Sequence, residues 1–386
     1  MVNMYWPRML QKTIAETEKS FPVTVITGPR QSGKSTLLKH YFSGRKATFL
    51  LLDDPNIRNL LSDDPLTHLK NLKKPVIIDE IQYMPELATF VKILVDDNRK
   101  PGQWFITGSQ QFSIMKNVSE SLAGRAAILS LPTFQIRERK DITDIGNYLL
   151  RGSYPEIAVN RKLNSDIWYS SYIQTYLERD LRSMMNISNL RDFENFLRLL
   201  AAHTSQELNY SSIAKQLGIS VPTIKRWISV LEASYIIFLL PPFFNNYGKR
   251  IIKSPKIYFY DVGLVNYLVG IKDTDFLLKG PMAGKLFEAA VVSEIIKAEY
   301  SKGVRPELYF WRSQSGIEVD LIISEKNYYV PYEIKISSSI KPEFYKNIRY
   351  WIELSGQEDI KGYLITNCNR DLPLPKNIKN IYWKDL

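Results

Sequence analysis

The stretch FPVTVITGPRQSGKSTLLKHY, residues 21–41, decides the reading of the first half of the chain. It opens as an apolar run through Val23, Val25 and Ile26 and turns through GPRQSGKS. It continues as Thr36-Leu37-Leu38-Lys39, which predicts the opening of a helix. Strand, glycine-rich loop and helix in this order are the context that a G-x-x-x-x-G-K-S/T loop requires. Backbone N–H groups of such a loop, with the positive end of the helix dipole, make a site for a polyphosphate. The nucleotide-binding residues are then Gly28, Pro29, Arg30, Gln31, Ser32, Gly33, Lys34, Ser35 and Thr36. Lys34 would reach the β- and γ-phosphates of ATP, and the Ser35 hydroxyl would bind Mg²⁺.

Strand, helix and turn signals alternate through about residue 135, as expected for a parallel sheet with helices on both faces. ATFLLLDDP ends a strand on Asp53 and Asp54, which either face the ligand crevice or cap the next helix. KKPVIIDEIQ places Asp79 and Glu80 at the end of a buried strand. There Asp79 suits the Mg²⁺ shell and Glu80 suits the general base for an attacking water. A further strand, Gln103 to Thr107, ends in Gly108-Ser109-Gln110, so Thr107 or Ser109 would sense the γ-phosphate or position the water. Arg125 in SLAGRAAILSL reads either as an arginine finger, in cis or from a neighbouring subunit of a homo-oligomer, or as a surface ion-pair residue.

GPRQSGKSTLL, LLDDP, VIIDEIQ, FITGSQQ and SLAGR follow one another in a pattern that resembles the AAA+-type ATPases of bacteria and archaea with a C-terminal domain of unknown function. The resemblance continues through LRGSYPEI (150–157), SYIQTYLERDL (171–181) and KSPKIYFYDVGL (253–264), and so covers nearly the whole chain. It implies ATP binding, hydrolysis and a regulatory C-terminal half, with no defined substrate.

Composition sets the outer bounds. A chain of 386 residues, 45% hydrophobic and 24% charged, is long enough for several domains, each with its own core. One cysteine, Cys368, excludes a disulfide framework and fits a cytoplasmic protein; it reads as buried or incidental. The first ten residues lack a signal-peptide core, and YIIFLLPPFF (235–244) is too short and too proline-broken to span a bilayer. His40, His68 and His203 lack metal-ligand spacing, and His203 reads as a helix-end contact.

The net charge of +11 is uneven. Between Ser205 and Lys256 stand Lys215, Lys225, Arg226, Lys249, Arg250, Lys253 and Lys256, opposed only by Glu207 and Glu232. Such a face is the footprint of a nucleic-acid binder. Residues 136–204 read as a helical lid and linker in which Tyr172, Tyr176, Phe193 and Phe196 form core. Within 205–265, Ser211-Ser212 would cap a helix through Leu217, Gly218 would turn the chain, and Ser220 would cap a second helix with Pro222 in its first turn. That helix would expose Thr223, Lys225 and Arg226 and bury Ile224, Trp227, Ile228 and Leu231. With a β-hairpin wing carrying Lys249, Arg250 and Lys253, this is a winged helix-turn-helix that binds DNA or docks a protein.

Residues 266–386 carry Glu288 on an amphipathic helix, Glu318-Val319-Asp320 on a strand and Glu333-Ile334-Lys335 on the next. Side chains two apart on a strand share a face, so Glu333 and Lys335 point together. If the hairpin pairs normally, Asp320 converges on Glu333, and Glu288, Asp320 and Glu333 would hold a hard cation. Lys335 would then activate a water for phosphodiester attack. This order resembles the PD-(D/E)XK nuclease fold, with Val319 in place of the proline; many such domains bind nucleic acid without cutting. The expected architecture is α/β throughout: an ATPase sheet (1–135), helical lid, winged helix and a restriction-endonuclease-like domain.

Overall fold

The computed structural model describes residues 5–108, 121–176, 190–243, 254–325, 328–357 and 359–386. The expected Ser109 and the wing residues Lys249, Arg250 and Lys253 lie outside them, as does the side chain of Tyr176. The chain forms two compact units. One comprises Met1–Phe134, Ala233–Tyr235 and Lys297–Arg305; the other comprises Gln135–Glu232, Ile236–Ile296 and Pro306–Leu386.

In the first unit, strands β1 (Val23–Thr27), β2 (Thr48–Leu51), β3 (Val76–Asp79), β4 (Trp104–Thr107) and β5 (Ala126–Ser130) form a sheet of order β2-β3-β4-β1-β5. Every pairing in it is parallel. Alternate residues of each strand feed different cores. Val23, Val25, Val76, Ile78, Trp104 and Ile106 pack in one cluster, while Ile26, Ile77 and Phe105 pack in the other. Both faces are therefore covered, which is why these strands read as continuous apolar runs instead of alternating ones. Helices Leu10–Ser20 and Lys34–Tyr41 contribute to one cluster, and Leu87–Asp97 to the other. The P-loop leaves the carboxyl end of β1, between β4 and β5, where open α/β sheets bind ligands.

In the second unit, β6 (Gln206–Glu207), β7 (Ile237–Leu240) and β8 (Lys256–Phe259) form an antiparallel sheet of order β6-β8-β7. Helices Leu190–Ala202, Tyr210–Leu217 and Val221–Ala233 accompany it. Ile224, Trp227, Ile228 and Leu231 are buried, Lys225 and Arg226 are exposed, and Thr223 is half-buried. Trp227 is gripped by Phe193 and Phe196, with ring centroids 5.0 and 5.1 Å away. One expected cap is corrected: Asn209, and neither serine, caps helix Tyr210–Leu217, accepting from Ser212 N at 2.9 Å. Ser220 does accept from Thr223 N, at 3.3 Å.

A mixed sheet follows, of order β13-β12-β11-β10-β9. Its strands are β9 (Leu308–Arg312), β10 (Glu318–Glu325), β11 (Tyr328–Lys335), β12 (Gly362–Thr366) and β13 (Ile378–Tyr382). β9, β10 and β11 pair antiparallel, and β11, β12 and β13 pair parallel. Helix Glu343–Ser355 buries Ile348, Trp351 and Ile352 against Val319, Ile322 and Leu364 of this sheet.

Two motifs of the family pattern meet in this unit. Asp261 of YDVGL caps helix Val262–Val269 through Leu264 N at 2.9 Å. The same carboxylate accepts from Ser153 N of RGSYPEI at 2.6 Å and from Tyr169 Oη at 2.6 Å. A Cβ on Gly152 would stand 2.3 Å from Asp261 Oδ1, so only glycine lets the two segments close. Tyr172, Phe193 and Phe196 are buried as expected of core, Cys368 is buried, and His203 Nδ1 contacts the Leu199 carbonyl at 2.8 Å.

Candidate nucleotide site and carboxylate cluster

The P-loop reaches its shape through three left-handed residues, Gly28 (φ 146°), Gln31 (φ 59°) and Gly33 (φ 90°). Helix Lys34–Tyr41 begins at once, with Gly33 as its N-cap. Lys34 is buried, and its Nζ donates to the carbonyls of Gly28 at 3.1 Å and Pro29 at 2.8 Å. Burial pushes the Lys34 ammonium down to about 8, with Glu80 and Asp79 opposing and Arg30 adding to the fall. Ser32 is fully buried, and its Oγ has no hydrogen-bond partner among the described residues. An orphaned hydroxyl beside a buried ammonium fits an anionic group such as a phosphate. Gln31 and Thr36 are exposed, and Arg30 is half-buried.

Register brings the acidic pair to this loop. Ser35 Oγ donates to Asp79 Oδ1 at 2.9 Å, and Thr107 Oγ1 donates to the same oxygen. Thr107 Oγ1 in turn accepts from Glu80 N at 3.2 Å. Glu80 adopts a left-handed backbone (φ 59°, ψ 51°), and its Oε2 accepts from Gln82 Nε2. The hydroxyl and carboxylate expected to hold Mg²⁺ thus already face one another, and such an ion takes its remaining ligands from water and phosphate.

Arg125 is not brought to the loop. It precedes Ala126, which pairs with Val23 at the amino end of β1, so it lies at the opposite edge of the sheet. Its Nε and Nη2 bind the Asp96 carboxylate at 2.5 and 2.9 Å. That is the surface ion pair among the two readings, and register excludes a finger acting in cis. Asp54 follows its helix-cap reading, accepting from Asn56 N at 2.8 Å.

Arg8 escaped sequence reasoning. It is buried and donates to the Ser32 carbonyl at 2.7 Å and the Pro132 carbonyl at 2.7 Å, and so braces the loop. Nothing local marks it, because its partners are 24 and 124 residues away.

In the second unit β10 and β11 pair so that Asp320 faces Glu333. Lys335 Nζ bridges them, at 2.9 Å from Asp320 Oδ2 and 2.6 Å from Glu333 Oε2. Burial and the Asp320 charge push Glu333 well above the carboxylate range, against the pull of Lys335. Asp320 stays ionised: burial raises it, but Lys335 and hydrogen bonds, including one from Ile334 N at 2.8 Å, pull it lower. Glu288 pairs with Lys256 (3.2 Å) and Tyr258 Oη (2.6 Å). Lys256 also reaches Glu318 at 2.5 Å.

Two expectations are corrected here. Lys256 is 3% exposed and belongs to this cluster, not to the basic face. The expected cation set of Glu288, Asp320 and Glu333 does not assemble: among the described residues no three His, Cys, Asp or Glu side chains are placed to hold a metal ion. The carboxylates are instead tied into ion pairs, Glu288 and Glu318 with Lys256, and Asp320 and Glu333 with Lys335.

Models of known families match along the chain: the AAA domain over residues 20–140, and domains of unknown function DUF8612 over 142–275 and DUF4143 over 283–386. The chain is 31% identical over 330 residues to the uncharacterized protein Rv2008c of Mycobacterium tuberculosis, covering 85% of this chain and 73% of that one. The chain belongs to this family of AAA-domain proteins. The chain is also 23% identical over 292 residues to the uncharacterized protein MJ1637 of Methanocaldococcus jannaschii, covering 62% of this chain and 60% of that one. Among solved structures, the Walker-type ATPase PABY2304 of Pyrococcus abyssi gives a TM-score of 0.46 at 16% identity, covering 67% of this chain and 94% of that one. The RuvB Holliday junction branch migration motor of Thermotoga maritima gives 0.32 at 14%, covering 60% and 89%. The AAA-domain match spans the P-loop, Asp79 and Glu80. Among the described residues no helix is long and apolar enough to cross a membrane.

Proposed function

We propose that the chain binds and hydrolyses ATP at the P-loop and uses the cycle to control nucleic-acid contact by its second unit. What carries this is the hydrogen-bonded chain Ser35–Asp79–Thr107–Glu80, which links phosphate loop, metal ligand and base in one buried arrangement. Ser35 and Asp79 would hold Mg²⁺, which supplies charge neutralisation at the phosphates. Lys34 leaves the Gly28 and Pro29 carbonyls for the β- and γ-phosphates. Glu80 Oε accepts the proton of the attacking water, and Gln82 orients that carboxylate.

The DNA reading is supported by helix Val221–Ala233, which exposes Lys225 and Arg226 opposite a buried apolar face, within the β6–helix–helix–β7–β8 order of a winged helix. The carboxylates of the mixed-sheet cluster are engaged in ion pairs with Lys256 and Lys335, and on this reading the second unit acts as a binding module that does not cleave. The deciding experiment measures ATP hydrolysis with and without duplex DNA, beside a Mg²⁺ or Mn²⁺ cleavage assay of wild type and Asp320→Ala. DNA-stimulated hydrolysis without cleavage supports the proposal; cleavage lost in Asp320→Ala overturns its second half.

A further inference from the structure

Tyr235 lies far beyond β1 in the chain, yet its phenol oxygen is 2.8 Å from Thr27 Oγ1 and 2.9 Å from Ser130 Oγ. Thr27 and Ser130 are the paired last residues of β1 and β5. Gly28 opens the phosphate loop at the next position. A Cβ there would stand 2.2 Å from the Leu131 carbonyl oxygen, and Leu131 N donates to the Thr27 carbonyl at 2.8 Å. The entry to the loop therefore rests on the joined ends of two strands, and Tyr235 joins them a second time through side chains.

Thr27 Oγ1 also donates to the Leu129 carbonyl at 3.3 Å, and the Tyr235 hydroxyl shares hydrogen bonds with Thr27 and Ser130 in which either oxygen can donate. Such a relay needs a neutral phenol. Burial, opposed by the bonds to Ser130 and Thr27, pushes Tyr235 up to about 12. The side chain is buried and its ring edge meets Tyr300 at 6.3 Å. Its backbone is left-handed at φ 57°, which a bulky residue adopts only where its surroundings hold it.

We infer that Tyr235 is a positioning residue for the nucleotide site: its hydroxyl locks the ends of β1 and β5 and so fixes where Gly28 launches the loop. The inference rests on the ATP reading of that loop. Tyr235 lies two residues beyond the end of helix Val221–Ala233, and linkage makes the device two-way. Nucleotide binding favours the seated tyrosine, and displacement of Ala233–Tyr235 weakens nucleotide binding by the same factor.

Tyr235→Phe removes one oxygen and keeps the ring. It is expected to lower affinity for a fluorescent ATP analogue about three- to tenfold, and to raise the KM for ATP more than it lowers kcat. Thr27→Val breaks the same relay, so the double variant should lose no more than the larger single loss. Should Tyr235→Phe misfold, Ser130→Ala tests the relay with the tyrosine in place. Val91→Ala, a core truncation in helix Leu87–Asp97, controls for stability and is expected to lower the unfolding midpoint without changing ATP affinity. Wild-type affinity in Tyr235→Phe and Ser130→Ala, additive losses in the double variant, or an equal affinity loss in Val91→Ala overturns the role of Tyr235. Lys34→Ala is measured alongside: affinity unchanged in that variant overturns the nucleotide reading of the loop itself.

Discussion

Ser35 Oγ donates to Asp79 Oδ1 across 2.9 Å, although they stand on different elements 44 residues apart. A hydroxyl and a carboxylate held this way would supply two of the six positions of an octahedral Mg²⁺ shell. Asp79→Asn keeps the shape and removes the charge. ATP binding measured with and without Mg²⁺ should then lose its Mg²⁺ dependence. A variant whose Mg²⁺ dependence matches wild type would place the cation elsewhere.

Glu80 occupies a left-handed turn directly after Asp79, and both its backbone and its carboxylate are held, by Thr107 and Gln82 respectively. A residue so fixed at a strand end suits proton transfer. Glu80→Gln should bind ATP as wild type does while kcat drops about 10²–10⁴-fold. Single-turnover hydrolysis reads the chemical step directly, and an unchanged rate there removes Glu80 from the role of base.

Lys34 titrates near 8 because burial disfavours its charge. Phosphates bring negative charge and raise that value again. Below about pH 7 the ammonium is already charged, and ATP binding should take up no proton there. Toward pH 9 the free site is largely neutral, so binding should take up about one proton and affinity should fall as pH rises. Calorimetry in buffers of different ionisation enthalpy measures this uptake. Lys34→Met should abolish it together with about 2–5 kcal/mol of binding; uptake persisting in that variant would assign the proton to another group.

Lys225 and Arg226 stand on the solvent side of a helix whose other side is pinned by Trp227 between two phenylalanines. If they meet phosphates, Lys225→Ala and Arg226→Ala should each weaken duplex binding across all sequences. Each should also flatten the dependence of log K on log salt by about 1. Salt titrations by fluorescence anisotropy check both effects. Equal slopes in wild type and the double variant would point instead to a protein-docking surface.

How much of this was legible in the sequence depended on how local each signal is. The P-loop is contiguous, and strands such as Val76-Ile77-Ile78 declare themselves because both of their faces are buried. Asp79 and Glu80 were readable because they end such a strand. Arg8 and Tyr235 were not, because each acts on the loop from a distant segment through atoms that no periodicity encodes. Arg125 stayed between two readings because its neighbouring glycine says nothing about register, and register alone puts it at the amino end of β1 and β5. Lys256 misled for a different reason. A charge count treats every lysine as surface, and this one is buried between Glu288 and Glu318.

That burial makes Lys256 the balance point of the carboxylate cluster, with a consequence for pH. Burial pushes Glu288 up to about 7, with Asp320 adding to the rise and Lys256 opposing it. An acid whose folded value exceeds its unfolded value takes up a proton on folding. Its stabilising contribution is complete below the unfolded value, about 4.3 for a glutamate, and is lost as pH climbs through about 7. Lys256→Met removes the main opposing charge, so Glu288 rises further and the loss should extend to higher pH. The variant should also be less stable at pH 8 by about 3–5 kcal/mol, because Glu288 and Glu318 are left without their buried counter-charge. Adding Glu288→Gln removes the titrating group, and should flatten the pH dependence and recover part of that loss. Urea unfolding of the three chains from pH 5 to 8 tests the sequence of effects. If Lys256→Met and wild type lose stability in parallel across that range, Lys256 does not set the charge of Glu288.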